Sequence, residues 1–137
     1  MLESDLWLMF RKACPYAERI ENAAKEGTPD VVYPTKTGWG WCELKIAHNN
    51  VFWLEKTQFS YAVRNSRLPA SHQVRYLIWN PEVDGGKLIL SESLITYPKV
   101  AKGGKIMVST NELITWNSFQ NLVNMMRAYT GDEGDDW

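Results

Sequence analysis

The sequence has few of the residues that build several common kinds of site. It contains two cysteines and two histidines in 137 residues, and Cys14 and Cys42 have neither metal-site nor disulfide-framework spacing. No apolar run approaches the roughly 18 residues of a membrane span, and no signal-peptide pattern opens the chain. The Gly85-Gly86 pair lacks the Gly-Lys-Ser/Thr ending of a phosphate-binding loop and predicts a turn. These absences favour a reduced, cytoplasmic protein with Cys42 in its core.

Charge is nearly balanced overall but unevenly distributed. The formal net charge is −1, which argues against a generic nucleic-acid coat. Residues 36–75 carry six cations and two anions, a net charge of +4 that suits either phosphate contact or a solvated helix face. Residues 131–137 carry four acids and predict a disordered tail. With 45% apolar residues, the remaining residues 1–130 are expected to form one domain.

Two apolar runs near the middle of the first half predict a β-hairpin. The runs cover 31–33 and 39–45, are rich in β-branched and aromatic residues, and flank the turn-forming stretch 34–38. Side chains alternate along a strand, so Glu43 and Lys45 should share one face. With a suitable register, Asp30 at the head of the first strand meets Glu43.

This grouping of two carboxylates and one ammonium has a defined chemistry. Adjacent carboxylates repel and tend to bind a proton or a divalent cation, and oxygen ligands suit Mg²⁺ or Mn²⁺. Such an ion can hold a phosphate oxygen and ionise water, while Lys45 stabilises developing negative charge. The pattern therefore suits phosphodiester hydrolysis. The alternative is a surface strand with an ordinary cross-strand Glu–Lys pair.

The same residues resemble a known signature. Pro29-Asp30, followed after twelve residues by Glu43-Leu44-Lys45, resembles the motif of the PD-(D/E)XK nuclease superfamily. The fuller pattern over 19–22, 27–31 and 40–45 is similar to small phage-encoded nucleases of the VRR-NUC type (virus-type replication-repair nuclease), which are related to Holliday-junction resolvases. The resemblance covers residues 16–64.

The resemblance implies a restriction-endonuclease-like αβββαβ core and a set of site residues. Asp30 and Glu43 would bind Mg²⁺ or Mn²⁺ with the Leu44 carbonyl, Lys45 would be the catalytic lysine, and Gln58 would match a glutamine on the following helix. It also implies a duplex or branched DNA substrate, a homodimer for paired cuts, and a phage or prophage origin in a prokaryotic host.

The remaining pattern predicts an α/β fold with a mixed sheet of about five strands flanked by helices. The predicted helices cover 3–13, with Ser4 as a possible N-cap, 55–66, and a stretch from a capping box at 109–112 to about 129. The predicted strands cover 73–79 and 87–90, with a break over 80–86 between them. The remaining segments are a loop over 46–50, an apolar lead-in over 51–54, and a hairpin or DNA-reaching loop around 98–105. For 16–22 the pattern alone also permits a helix, whereas the resemblance favours a strand.

Four polar residues near the motif have open roles. Glu3 could face the metal, as an acid of the first helix does in the superfamily, or serve the helix terminus. Arg19 and Glu21 could form a structural pair or lie beside the site, and His48 could act as a general base or be solvated.

These observations predict a divalent-metal-dependent DNA endonuclease, structure-selective by resemblance. An exonuclease or nicking enzyme of recombination or replication would use the same site. A non-catalytic DNA- or protein-binding member of the fold is the alternative from another class, and intact Asp30, Glu43 and Lys45 argue against it.

Overall fold

The fold is built around the central hairpin and its continuation into a larger sheet. The computed structural model describes residues 1–20, 29–35, 38–113 and 115–130. In chain order its elements are α1 (Glu3–Ala13), β1 (Glu18–Arg19), β2 (Val31–Thr35), β3 (Gly38–Ile46), β4 (Val51–Glu55), α2 (Lys56–Asn65), a 3₁₀ turn (Ala70–His72), β5 (Arg75–Asn80), β6 (Gly85–Leu90), α3 (Ser91–Leu94), β7 (Lys99–Lys102), β8 (Lys105–Ser109) and α4 (Phe119–Thr130).

In the described part of the chain, the main sheet has five strands in the order β1-β2-β3-β5-β6. All neighbours are antiparallel except β3 and β5, which run parallel because α2 forms the crossover between them. The mixed five-stranded sheet with flanking helices confirms the predicted α/β class.

The register of the β2–β3 hairpin places Gly40 opposite a buried tyrosine. Val31 pairs with Cys42 and Thr35 with Gly38. Gly40 lies opposite Tyr33, and a Cβ atom at Gly40 would come within 2.8 Å of three atoms of the Tyr33 ring system, so the buried tyrosine requires glycine there. This close packing explains the glycine between the two tryptophans of β3.

Two apolar cores lie on opposite faces of the main sheet. One includes Leu6 and Phe10 of α1 and Leu122 of α4 together with Val31 and Leu44. The other buries Ala62 of α2 and Leu94 of α3 against Tyr76 and Ile78 of β5. None of the described helices is long and apolar enough to cross a membrane.

A second sheet covers part of the α2 face and was missed by the sequence patterns. It has the order β4-β8-β7, and its strand β4 is the stretch 51–54 that was interpreted as a lead-in to the helix. The predicted hairpin around 98–105 is confirmed as β7 and β8, joined at Gly103 and Gly104. Val51–Leu54 therefore contribute a strand because β8 supplies hydrogen-bonding partners that lie some fifty residues away in the sequence.

The long final helix was predicted to begin too early. Ser109 belongs to β8, where it pairs with Val51, and α4 begins only at Phe119. The Ser109 hydroxyl accepts a bond from the Asn111 N–H, which is a local turn, whereas Ser118 accepts one from the Asn121 N–H at the true helix start. The helix predicted from the capping-box pattern was wrong at its start because the backbone of Ser109 is paired with β4.

The Gly85-Gly86 pair is not a turn. Both glycines lie in β6, and the chain reverses at 81–84, where Asp84 has a φ of +47°. A Cβ atom on Gly86 would lie 2.7 Å from Trp79 Cε3 and 2.8 Å from Leu122 Cδ1. Close packing of the sheet against α4, rather than turn geometry, explains this glycine.

The helix predicted over 3–13 is confirmed as α1, but its N-cap residue is not the predicted one. Leu2, not Ser4, is the N-cap residue, and its N–H donates to Asp5 Oδ2 at 2.9 Å. Within the predicted 16–22 strand, β1 occupies Glu18–Arg19. Glu21 and the acidic stretch 131–137 lie outside the described residues.

Candidate active site

The hairpin register brings Asp30 beside Glu43. Val31 pairs with Cys42, so the residue before Val31 and the residue after Cys42 stand at the same end of the ladder. The two carboxylates interact electrostatically, since Asp30 is one of the groups that raise the pKa of Glu43. The predicted juxtaposition of these two acids is present in the structure.

Alternation along β3 sends Glu43 and Lys45 to the α2 face of the sheet. Trp41, on the same face, packs against the core beneath α2, whereas Cys42 and Leu44 enter the opposite core. Glu43 is 7% exposed and Lys45 is 8% exposed. Both ionisable groups are therefore held away from bulk water. Electrostatic interactions between them are stronger in this buried setting than they would be in water.

Gln58 joins the acid to the lysine. Its Oε1 accepts a hydrogen bond from Lys45 Nζ at 3.2 Å, and its Nε2 donates to Glu43 Oε1 at 3.1 Å. The same Oε1 accepts the Glu55 N–H at 2.8 Å, which caps the N-terminus of α2. The start of α2 thus orients both side chains of the Glu-x-Lys motif.

Burial and neighbouring charge raise the pKa of Glu43 to about 7. Loss of hydration is the largest cause, and repulsion from Asp30 is the next; Lys45 opposes both, and Glu3 adds a smaller repulsion. The ionised form of Glu43 is therefore disfavoured mainly by burial and also by the neighbouring Asp30 carboxylate, and a nearby positive charge would favour it. A divalent cation would supply such a charge.

The direction of the Leu44 carbonyl follows from the geometry of strand β3. The Ala47 N–H donates to the Trp79 carbonyl on β5, and backbone groups alternate in direction along a strand. The carbonyl of Leu44 consequently points to the β2 side, beyond the last β2–β3 pair at Val31 and Cys42. Pro29 could not extend that ladder with a hydrogen bond because proline has no N–H.

Arg19 and Glu3 lie at the border of the site. Arg19 Nε donates to Asp30 Oδ2 at 3.1 Å, and about 40% of each side chain is exposed, at 41% and 38%. The charge of Glu3 adds to the repulsion that raises the pKa of Glu43, and Asp5, not Glu3, accepts the Leu2 N–H at the start of α1. The sequence left open whether Arg19 forms a structural pair or lies beside the site, and it gave no sign that Arg19 pairs with Asp30.

His48 is an exposed residue of the turn between β3 and β4. Its backbone pairs with Val51, while Asn49 and Asn50 adopt φ values of +52° and +63° to close the turn. Among the side-chain hydrogen bonds of the described residues, none joins His48 to Glu43, Lys45 or Gln58. The turn accounts for the backbone conformation of this segment.

The donor set suits a hard divalent cation with partial protein ligation. Within the described part of the chain, no cluster of three or more histidine, cysteine, aspartate or glutamate side chains could hold a metal. Two carboxylates and one backbone carbonyl are nevertheless all-oxygen donors, the type that Mg²⁺ and Mn²⁺ prefer. Water and substrate oxygens would complete such a coordination sphere.

Comparisons with known proteins give structural matches alone. No family model and no curated protein matches the sequence. The fold is similar to Hjc, a Holliday junction resolvase from the archaeal hyperthermophile Archaeoglobus fulgidus, with a TM-score of 0.54 and 14% identity over 89% of this chain and 92% of that one. It is also similar to D212, a nuclease from a fusselovirus, with a TM-score of 0.50 and 11% identity over 96% and 89% of the two chains. These matches show that the chain has the same kind of fold as these two nucleases.

Proposed function

We propose that this protein is a divalent-metal-dependent DNA endonuclease of the resolvase type. The observation that carries the proposal is the Gln58 bridge, which holds Glu43 and Lys45 in fixed relation beside Asp30. A surface ion pair would need neither the burial of both partners nor an amide joining them. The similarity to a resolvase and a viral nuclease supports the same reading.

Each residue has a distinct task in the proposed reaction. Asp30, Glu43 and the Leu44 carbonyl would hold Mg²⁺ or Mn²⁺, which supplies positive charge to a phosphate oxygen and favours ionisation of a water molecule. Lys45 Nζ, steered by Gln58, stabilises the negative charge that develops on the phosphoryl group.

The chemistry is direct hydrolysis. The water oxygen bonds to phosphorus, the ester bond to the leaving sugar oxygen breaks, and that oxygen takes up a proton. The phosphate remains on one strand end, and no covalent enzyme intermediate is required. Resolving a four-way junction would need two cuts, so for that substrate a homodimer with two such sites is part of the proposal. The setting we propose is the cytoplasm of a prokaryotic host, with a phage or prophage origin.

A cleavage panel tests the proposal. Linear duplex, single strand, flap and four-way junction are incubated with Mg²⁺, Mn²⁺ or EDTA, using the parent, Asp30→Ala and Lys45→Ala. Glu112→Ala, which removes an exposed acid from a turn, is the matched control. We expect metal-dependent cutting that both site variants lose and the control keeps. Cutting in EDTA, or equal cutting by the site variants, would refute the assignment.

A further inference from the structure

A surface groove of about 580 Å³ begins at the border of the site. Trp7 and Arg11 of α1 line one part, and Tyr16 and Arg19 line the approach to β1. Trp39 of β3 also lines the groove. We call it the aromatic–arginine groove; the proposed hydrolysis does not use its aromatic side chains.

The aromatic residues of this groove expose unusually large surfaces. Tyr16 is 65% exposed and Trp39 is 58% exposed, so both present ring surface to water rather than to the core. Trp7 is half-buried and stacks on Phe10 with ring centroids 6.2 Å apart, which gives it a fixed base within α1. Exposed aromatic rings that line a concave surface indicate a binding surface.

The charged side chains of the groove indicate which class of ligand it would bind. Arg11 and Arg19 supply two guanidinium groups, of which Arg19 also pairs with Asp30. Among the described residues that line the groove, Glu18 is the one acid. Guanidinium groups bind phosphates, and aromatic rings stack on nucleobases whatever their sequence. The rings can reach only bases that are not already stacked within a duplex.

Arg19 connects the groove to the proposed catalytic centre. It lines the groove and also donates to Asp30 at 3.1 Å. Trp39 pairs with Pro34, and the four strand steps from Asp30 to Pro34 span roughly 13 Å at about 3.3 Å per residue. A strand passing from one end to the other would place a few nucleotides in the groove beside the proposed cutting position.

We propose that the aromatic–arginine groove binds unpaired nucleotides of a DNA strand next to the phosphate that is cut. The position of the cut rests on the proposed nuclease function, whereas binding of the single strand does not. This assigns the substrate class as DNA with a single-stranded arm, such as a flap or splayed end, in preference to a fully paired junction.

Binding without metal tests the groove independently of hydrolysis. Fluorescence anisotropy in EDTA compares a labelled single-stranded oligonucleotide with a duplex of the same length. Trp39→Ala and Tyr16→Ala are expected to weaken single-strand binding by about 5- to 100-fold each, the usual loss of one base–aromatic stack. Trp39→Phe keeps a ring and is expected to remain within about threefold of the parent.

A matched tryptophan and the salt dependence give the controls. Trp53→Ala removes a tryptophan that is 38% exposed on β4, outside the groove, and should bind like the parent. Arg11→Ala should lower the slope of log affinity against log salt by about 0.7, the value for one phosphate contact on a single strand.

The possible results separate the groove from the catalytic site. If Trp39→Ala binds single strand as tightly as the parent, or if Trp53→Ala loses as much, the groove proposal is refuted even when the parent cuts DNA. If the groove variants alone lose binding while the parent cuts no substrate, the groove stands and the hydrolytic proposal fails. A parent that binds duplex more tightly than single strand also contradicts the groove.

Discussion

Replacing Glu43 by glutamine should stabilise the metal-free protein while abolishing cleavage. Burial and Asp30 raise the pKa of Glu43 from 4.5 to about 7, so the folded protein retains a proton that the unfolded chain has released between those pH values. The free energy of unfolding therefore falls as pH rises through this window. The glutamine side chain is close in shape, does not ionise, and avoids that loss.

The size of the effect follows from the pKa difference. A shift of this size corresponds to about 3 kcal/mol at roughly 1.4 kcal/mol per pKa unit. Glu43→Gln should accordingly be more stable than the parent by up to about 3 kcal/mol near pH 8, and the two should converge near pH 4.5.

Urea unfolding in EDTA at several pH values measures this difference directly. Saturating Mg²⁺ should then stabilise the parent more than the variant, because the variant lacks one proposed ligand. A stability difference that is constant from pH 5 to pH 8 would refute the electrostatic reasoning, since a difference in packing alone would not change with pH.

Three further substitutions test other parts of the account. Gln58→Ala removes the side chain that caps α2 and bonds Lys45. We expect the free energy of unfolding in urea to fall by about 1–3 kcal/mol and cleavage to be slower. Gln120→Ala, on an exposed helix face, should change neither quantity. Gly86→Ala forces a methyl group against Trp79 and should cost about 1–3 kcal/mol in thermal unfolding; an unchanged midpoint would contradict the packing described. Arg19→Gln breaks an exposed ion pair and should cost less than about 1 kcal/mol of stability, so a larger loss would show that the pair is structural.

Local rules predicted how Asp30, Glu43 and Lys45 are arranged, whereas their proposed roles came from the resemblance. Strand alternation put Glu43 and Lys45 on one face, and the short turn limited the register that could bring Asp30 to them. Those relations depend only on residues close in sequence. Gln58 required the resemblance, because no local pattern shows that the start of α2 lies over β3.

Three of the errors share one physical cause, which is tertiary contact that no local pattern shows. Ser109 carries a good capping pattern, yet its backbone pairs with Val51 and continues β8. The stretch 51–54 became a strand for the same reason. Gly86 was interpreted from its conformational freedom, whereas the structure uses its lack of a side chain against Trp79. In each case tertiary contacts overrode a valid local preference.

The role of Lys45 is the most direct test of the central claim. Single-turnover cleavage of a flap substrate in Mg²⁺ and calorimetric binding of Mn²⁺ are measured for the parent, Lys45→Met and Asp30→Asn. The account predicts that Lys45→Met binds Mn²⁺ like the parent but cuts about 100-fold more slowly or worse, while Asp30→Asn loses both binding and cutting. Cleavage by Lys45→Met at the parental rate, or parental Mn²⁺ affinity in Asp30→Asn, would contradict it.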